Sequence, residues 1–383
     1  MSGEPDPLPN GMRFVIFCHS LVSDWNHGNA HFLRGIVADL LARGCDVRVY
    51  EPADGWSRQQ LVATEGQAAL DRFGRTFPHL RPIVADLDAL DLDEALDGAD
   101  VVLVHEWSPH ALVERIGRHK ADGGRYVLLF HDTHHRSVSD VEAMAAYRLE
   151  HYDGVLAFGE VIRQRYLERG WSRRAWTWHE AADTRVFVPL EGEELEGDLI
   201  WIGNWGDEER SAEIRGFLID PVRDLRLTAR VHGVRYPPEA RRELEGAGIA
   251  YGGWLPNHEA PRAYARHRMT LHIPRAPYVT ALPGIPTIRV FEALACGIPL
   301  ISLWWDDCEG LFTPGEDFLV ARTPAGMREA MRALRDDESL RRTLAARGLA
   351  TVRARHTCTH RVDQLLGIVE QVQGSAAEEV LIA

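Results

Sequence analysis

The sequence predicts an α/β protein of two Rossmann-like domains facing across a deep cleft, with a helical C-terminal region. Three observations carry this. Apolar runs of strand length alternate with segments of helical spacing, the pattern of parallel βαβ units wound right-handed. The series restarts after an acidic, Gly-containing stretch, EGEELEGD, at residues 191–198. A chain of 383 residues is also long for one hydrophobic core, so two domains are the default.

The first series opens with RFVIFCHS (13–20), an apolar run suited to a buried parallel strand. A Gly-containing loop, LVSDWNHGN, leads into a helix on which Phe32, Leu33, Ile36, Val37, Leu40 and Leu41 recur at helical spacing, stopped by Gly44. Further strands are predicted at 46–52, 100–106, 125–132, 154–160 and 175–181. The second series places strands at 198–204, 225–233, 249–254, 269–274, 298–304 and 318–321. From Ala325 to Gln373 the chain reads as helix, with Gly348 and HTCTH as candidate breaks. The expected domains are 1–190, 191–355 and a C-terminal helix and tail, 356–383, returning to the first domain. Neither an internal repeat nor a low-complexity tract interrupts this reading.

Composition narrows the function classes. A formal charge of −14 disfavours broad nucleic-acid binding, which needs a basic surface to displace counterions. A small anion can still bind at a local cationic cluster. Lys120 is the only lysine among 43 Lys and Arg, so a phosphate site must rest on arginine, histidine or backbone N–H groups. No apolar run reaches the roughly 18 residues that span a bilayer. The start, MSGEPDPLPNGM, is polar, and five cysteines lie scattered without metal-type spacing; no signal peptide and a reducing, cytoplasmic location are expected.

Ligands of open parallel sheets sit outside the carboxyl ends of the strands, so residues just after each strand are the informative ones. The stretch PGIPTIRVFEALACGIPLIS (283–302) stands out. Pro286 suits a first helical position. Gly284, Ile285, Thr287 and Ile288 then border a helix start whose N–H groups suit a phosphate. Arg289 lies one turn inside and Glu292 three residues later on the same face. Two readings fit: a surface ion pair on an amphipathic helix, or a cationic and an anionic group facing a bound nucleotide.

FEALACGIPLIS (291–302) resembles the nucleotide-sugar signature of retaining GT-B glycosyltransferases, especially the CgeB-like branch of glycosyl transferases group 1. GNAHFLRGIVADLLARGCDVRVY (28–50), HEAADTRVFVP (179–189) and the stretch from Glu309 to Leu349 resemble further parts of the same family. The resemblance implies that Glu292 binds ribose hydroxyls, that the chemistry is metal-independent with no cofactor, and that the first domain takes the acceptor. The wider family often carries a second, sugar-contacting glutamate eight residues before the ribose glutamate; here that position is Gly284.

Other candidates follow strand ends. Arg210, in WIGNWGDEER, is the expected diphosphate ligand, or else an exposed arginine paired within the DEER run. Asn204, Trp205, His232, Trp254 and Leu255 are expected near the donor, the last two as nucleobase contacts or as buried apolar residues. Gly28 and Asn29 allow close approach to the donor phosphate. His19, His27, His105 and Glu106 are acceptor-side candidates, and His131 or Asp132 the candidate general base. HDTHH (131–135) also suggests a metal site, disfavoured because adjacent residues rarely converge on one ion. The sequence thus predicts a glycosyltransferase using a UDP- or GDP-type sugar donor and a small-molecule, glycan or protein acceptor. Its rivals are an epimerase of the same fold and a non-catalytic nucleotide-sugar-binding protein.

Overall fold

The computed structural model describes the backbone of residues 11–382 and side chains as far as Ser375. The polar stretch 1–10 and Ala383 lie outside the described residues. The chain divides into two units, Met1–His179 with Cys358–Ala383, and Glu180–Thr357.

The first unit is built on β1 (Arg13–Phe17), β2 (Asp46–Pro52), β3 (Ile83–Ala85), β4 (Val101–His105), β5 (Val127–Asp132), β6 (Gly154–Ala157) and β7 (Ala175–Thr177). The order is β3-β2-β1-β4-β5-β6-β7, every pairing parallel. All residues of β4 and β5 are buried, which is why their sequences run apolar without alternation. The sequence reading omits β3. That strand has three residues at a sheet edge, and Ile83 and Val84 are exposed, so it shows no periodicity.

The C-terminal helix Cys358–Ile382 belongs to this unit. Thr359 Oγ1 donates to Asp39 (2.7 Å), Arg43 pairs with Asp363 (2.7 Å), and Trp178 Nε1 donates to the Arg361 carbonyl (2.8 Å). The division falls at His179/Glu180, earlier than the 190/191 boundary expected from the acidic stretch. The reason is local: Ala182 N–H donates to the His356 carbonyl (3.0 Å) and Ala182 bridges Thr357, tying this segment into the second unit.

The second unit carries β8 (Gly197–Ile202), β9 (Ala229–His232), β10 (Ile249–Tyr251), β11 (His267–His272), β12 (Leu300–Leu303) and β13 (Leu319–Ala321). Their order is β10-β9-β8-β11-β12-β13, again all parallel. Gly348 does not break the C-terminal helices. Helix Glu338–Arg355 runs through it, and a Cβ there would meet Leu294 Cδ2 at 2.6 Å and the Asp317 carbonyl at 2.9 Å. This glycine serves close packing on helix Ile288–Ala295. The next helix does begin within HTCTH, at Cys358. Among the described residues no helix is long and apolar enough to cross a membrane.

Candidate functional site

In each sheet the strand order reverses once, between β1 and β4 and between β8 and β11. These switch points splay the flanking connections to opposite faces and leave a crevice at the carboxyl ends.

In the second unit Arg210 occupies that place. Gly206, at φ +80°, lets the chain fold back so tightly that a Cβ would meet Arg210 Nε at 2.5 Å. The guanidinium of Arg210 then donates to the carbonyls of Asn204 after β8 (2.5 Å) and Ile273 after β11 (3.0 Å). It also lies over the Trp201 ring at 5.3 Å, while its Nε is buried without a partner. Burial first, then the neighbouring Arg275 and Arg289, push its pKa down to about 10. Arg275 pairs with Glu209 (2.6 Å) and Arg289 with Glu292. Among the described residues no carboxylate forms an ion pair with Arg210, so the alternative of pairing within the DEER run is not what the structure shows. A half-buried cation without a carboxylate partner has the charge and the free N–H to meet an anion.

Helix Ile288–Ala295 starts later than its sequence suggests. Pro286 precedes the helix and Thr287 is the N-cap. Gly284 N–H is not free for a ligand, since it donates to the Asp306 carbonyl (2.6 Å). The Thr287 hydroxyl makes no cap bond and meets His272 Nε2 instead (3.1 Å). His272 Nδ1 meets Ser302 Oγ (2.8 Å), whose hydroxyl donates to the Leu303 carbonyl (2.7 Å). That order fixes the tautomer: Nδ1 carries the proton and Nε2 accepts from Thr287. Burial and Arg210 hold His272 neutral, its pKa lowered to about 3. The relay sets the Thr287 rotamer at the helix start. Its members His272, the last residue of β11, and Ser302, inside β12, were not among the expected site residues.

Glu292 is fully buried, which removes the surface-pair reading of Arg289 and Glu292. Gly284 stands at φ +85°, and a Cβ there would meet the Glu309 carboxylate at 2.6 Å. Gly284→Ala is therefore expected to lower unfolding free energy by about 1–2 kcal/mol, the cost of a side chain in the left-handed region. Unchanged urea unfolding would refute this. Trp205 is core, packed on Tyr236 at 5.6 Å, because its ring turns inward beneath Arg215. His232, the last residue of β9, and Trp254 and Leu255, beyond β10, end up half-buried, and Gly252 makes room for the His232 ring. Asn204 holds the turn through Oδ1, which accepts from Val234 N–H (2.9 Å).

In the first unit the loop after β1 is fixed from below. The Glu51 carboxylate accepts from Ser20 Oγ (3.0 Å) and Leu21 N–H (2.8 Å). Arg34 donates to the carbonyls of Leu21 and Val22 (2.7 Å each) and pairs with Asp24 (2.9 Å). This loop carries His19, His27 and the Gly28–Asn29 pair, Asn29 being the N-cap of helix Ala30–Ala42. The rings of His19, His27, His105 and His131 follow one another at 5.1, 6.3 and 5.3 Å. Burial keeps them neutral, His19 down to about 4 and His131 to about 3, with His27 and His105 well below the usual range.

The expected general bases, His131 and Asp132, are both buried. His131 is packed between Phe32 and Trp178. Asp132 is fully buried and accepts from His134 N–H (3.1 Å) and Tyr166 Oη (2.9 Å). Its pKa rises to about 6 through burial. Glu106, raised by burial and then by Asp132, accepts from Thr133 N–H (2.9 Å). His105 and Glu106 are likewise buried, so of the four acceptor-side candidates only His19 is partly open to solvent. Among the described residues no group of three or more His, Cys, Asp or Glu is arranged to hold a metal ion, HDTHH included.

Two doubly wound parallel sheets in one chain, each with its switch point, make up the GT-B fold. Residues 210–367, from Arg210 through the Glu292 helix, match the family model described as glycosyl transferase-like. Sucrose-phosphate synthase from Thermosynechococcus elongatus is similar with a TM-score of 0.65 at 14% identity, covering 95% of this chain and 100% of that one. HepE from Anabaena, solved with UDP and glucose, gives 0.65 at 12% identity over 94% and 99%. T4 phage β-glucosyltransferase gives 0.58 at 12% identity over 94% and 99%. No curated protein matches the sequence.

Proposed function

We propose that the protein transfers a sugar from a nucleoside diphosphate sugar, UDP-linked in the first instance, to a hydroxyl-bearing acceptor, with retention and without a metal ion. The observation that carries this is Arg210: a guanidinium at the switch point of the glycosyl transferase-like unit, lacking a carboxylate and keeping one buried N–H unused. Cleavage of the anomeric bond leaves negative charge on the departing diphosphate, and a preorganised donor aimed there lowers the barrier. Arg289 and the first-turn N–H groups of the helix at Ile288 add to the same pole. In this reading Arg289 turns from Glu292 to the diphosphate on binding, and the released carboxylate oxygen accepts from the ribose hydroxyls. UDP is supported by HepE, whose structures hold UDP with glucose or UDP-glucose. Retention rests on the signature resemblance, and a cytoplasmic location on the scattered, free cysteines.

Calorimetric titration with UDP tests the reading. Binding is expected in excess EDTA, and Glu292→Gln is expected to weaken it about tenfold by removing a charged hydrogen-bond acceptor. Absence of UDP and GDP binding would overturn the donor assignment. Binding restored only by added divalent metal would overturn metal independence, and T4 phage β-glucosyltransferase has been solved with UDP and Mn2+.

A further inference from the structure

Trp107 is 43% exposed, yet nothing about its setting is loose. It stands just past β4, at the switch point of the first unit, with His19 just past β1 beside it at a ring distance of 6.3 Å. One face of the indole rests on the Arg136 guanidinium at 4.8 Å. Arg136 is itself buried and stacks in turn on Tyr147 at 5.8 Å. The His134 ring meets Trp107 edge-on at 5.2 Å. The backbone is held too. His105 Nδ1 accepts the Trp107 N–H at 3.4 Å, while His105 Nε2 meets Thr133 Oγ1 at 3.0 Å, whose hydroxyl donates to Glu106 at 3.2 Å. The buried Glu106–Thr133–His105 chain therefore positions the Trp107 backbone.

A large apolar ring fixed from behind and open in front is a binding surface rather than core. His19 beside it is a partly open imidazole with no hydrogen-bond partner among the described residues, and His27 Nε2 behind it is buried and unpartnered. From this juxtaposition we infer that Trp107 and His19 form the acceptor subsite, and that the acceptor presents a neutral sugar ring whose C–H face stacks on the indole while a hydroxyl donates to His19.

The class follows from what surrounds the ring. Arg136 already occupies the inner face of Trp107, so a cationic ligand on the outer face meets like charge across the indole. The imidazoles stay neutral and Arg136, behind the indole, is met by Asp140 (3.7 Å), so the open face offers an anion no charged donor. A phenol stacks on the indole but offers one hydroxyl only, and is the competing arm of the test; several hydroxyls around a ring with an apolar face suit the paired indole and imidazole better. A pyranose supplies both. Glu106, Asp132 and His131 then act through others and are positioning residues, not acceptor contacts.

This inference rests on the glycosyl-transfer reading, and its test is separable from it. Saturation-transfer NMR is run on the protein without UDP, with methyl glucoside, methyl galactoside and methyl mannoside as probes and phenol as the aromatic arm. At least one methyl glycoside is expected to receive transfer at its ring C–H protons. Trp107→Ala should weaken that binding about tenfold, the scale of one lost ring stack. Trp107→Phe should keep part of it, and His19→Ala should weaken it several-fold. UDP affinity, measured separately, should be unchanged in all three variants, which also reports on their folding. Transfer to no glycoside, transfer unaffected by both Trp107 variants, or Trp107-dependent binding of phenol alone would overturn the inference. Loss of UDP binding in the wild type would instead strike the donor assignment and leave the glycoside result readable.

Discussion

Arg210→Ala is expected to lower turnover by on the order of 10²–10³, the usual effect of removing one preorganised donor from a developing oxyanion. The measurement is UDP release from UDP-glucose, with or without acceptor. The same variant is expected to be no less stable than wild type, and that pairing distinguishes a functional arginine from a structural one. In the fold, the Arg210 pKa is depressed, chiefly by burial. The charged form is therefore disfavoured on folding, and deleting it relieves that cost while losing two hydrogen bonds to carbonyls. Arg210→Lys keeps the charge but cannot span Asn204 and Ile273 together, so its rate should fall between the two. A turnover within a few-fold of wild type for Arg210→Ala would sink the assignment. A large loss of stability with little loss of rate would make Arg210 a brace for the β8 and β11 loops.

The fold was legible where burial is symmetric. Parallel strands covered on both faces, such as Val101–His105, read as unbroken apolar runs and cannot be mistaken for surface segments. The three-residue edge strand Ile83–Ala85 had no such signature. Gly348 looked like a helix break because sequence shows the missing side chain but not Leu294 filling the space. Site residues at strand ends were legible as positions and less so as roles. Arg210 was found by position, since the single lysine left arginine as the cation. The depth of His131 and Asp132 was not readable, because a strand's last residue faces solvent or core according to the next turn. Trp107 was missed because an isolated tryptophan gives no periodic signal; only the guanidinium behind it reveals that it is held. His272 escaped for a similar reason, its partners Thr287 and Ser302 being distant along the chain.

Acidification should unfold the first unit steeply between about pH 6.5 and pH 4.5, and the sign follows from two opposing sets of groups. His19, His27, His105 and His131 all have pKa values lowered in the fold, so below about pH 6.5 the unfolded chain takes up protons that the folded unit refuses. Their contribution to stability is present above the unfolded value and lost as pH falls towards the folded ones. Glu106 and Asp132 act the other way. Their pKa values are raised, so over the same window the folded unit holds protons that the unfolded chain has released. Four histidines outweigh two carboxyls, leaving a net uptake of about two protons on unfolding. That corresponds to a slope of about 2.7 kcal/mol per pH unit, a large share of an ordinary domain's stability within two units. Urea unfolding across a pH series measures it directly. His131→Phe removes one of the refused protons without deleting a hydrogen bond, since the His131 ring makes none among the described residues. It should flatten the slope by about 1.4 kcal/mol per pH unit whatever it does to stability at neutral pH. A slope that His131→Phe leaves intact would mean that His131 takes up its proton in the fold, and a level profile from pH 6.5 to pH 4.5 that these imidazoles do so together. They would then present positive charge at the first unit's switch point and could not serve as neutral acceptors for a hydroxyl.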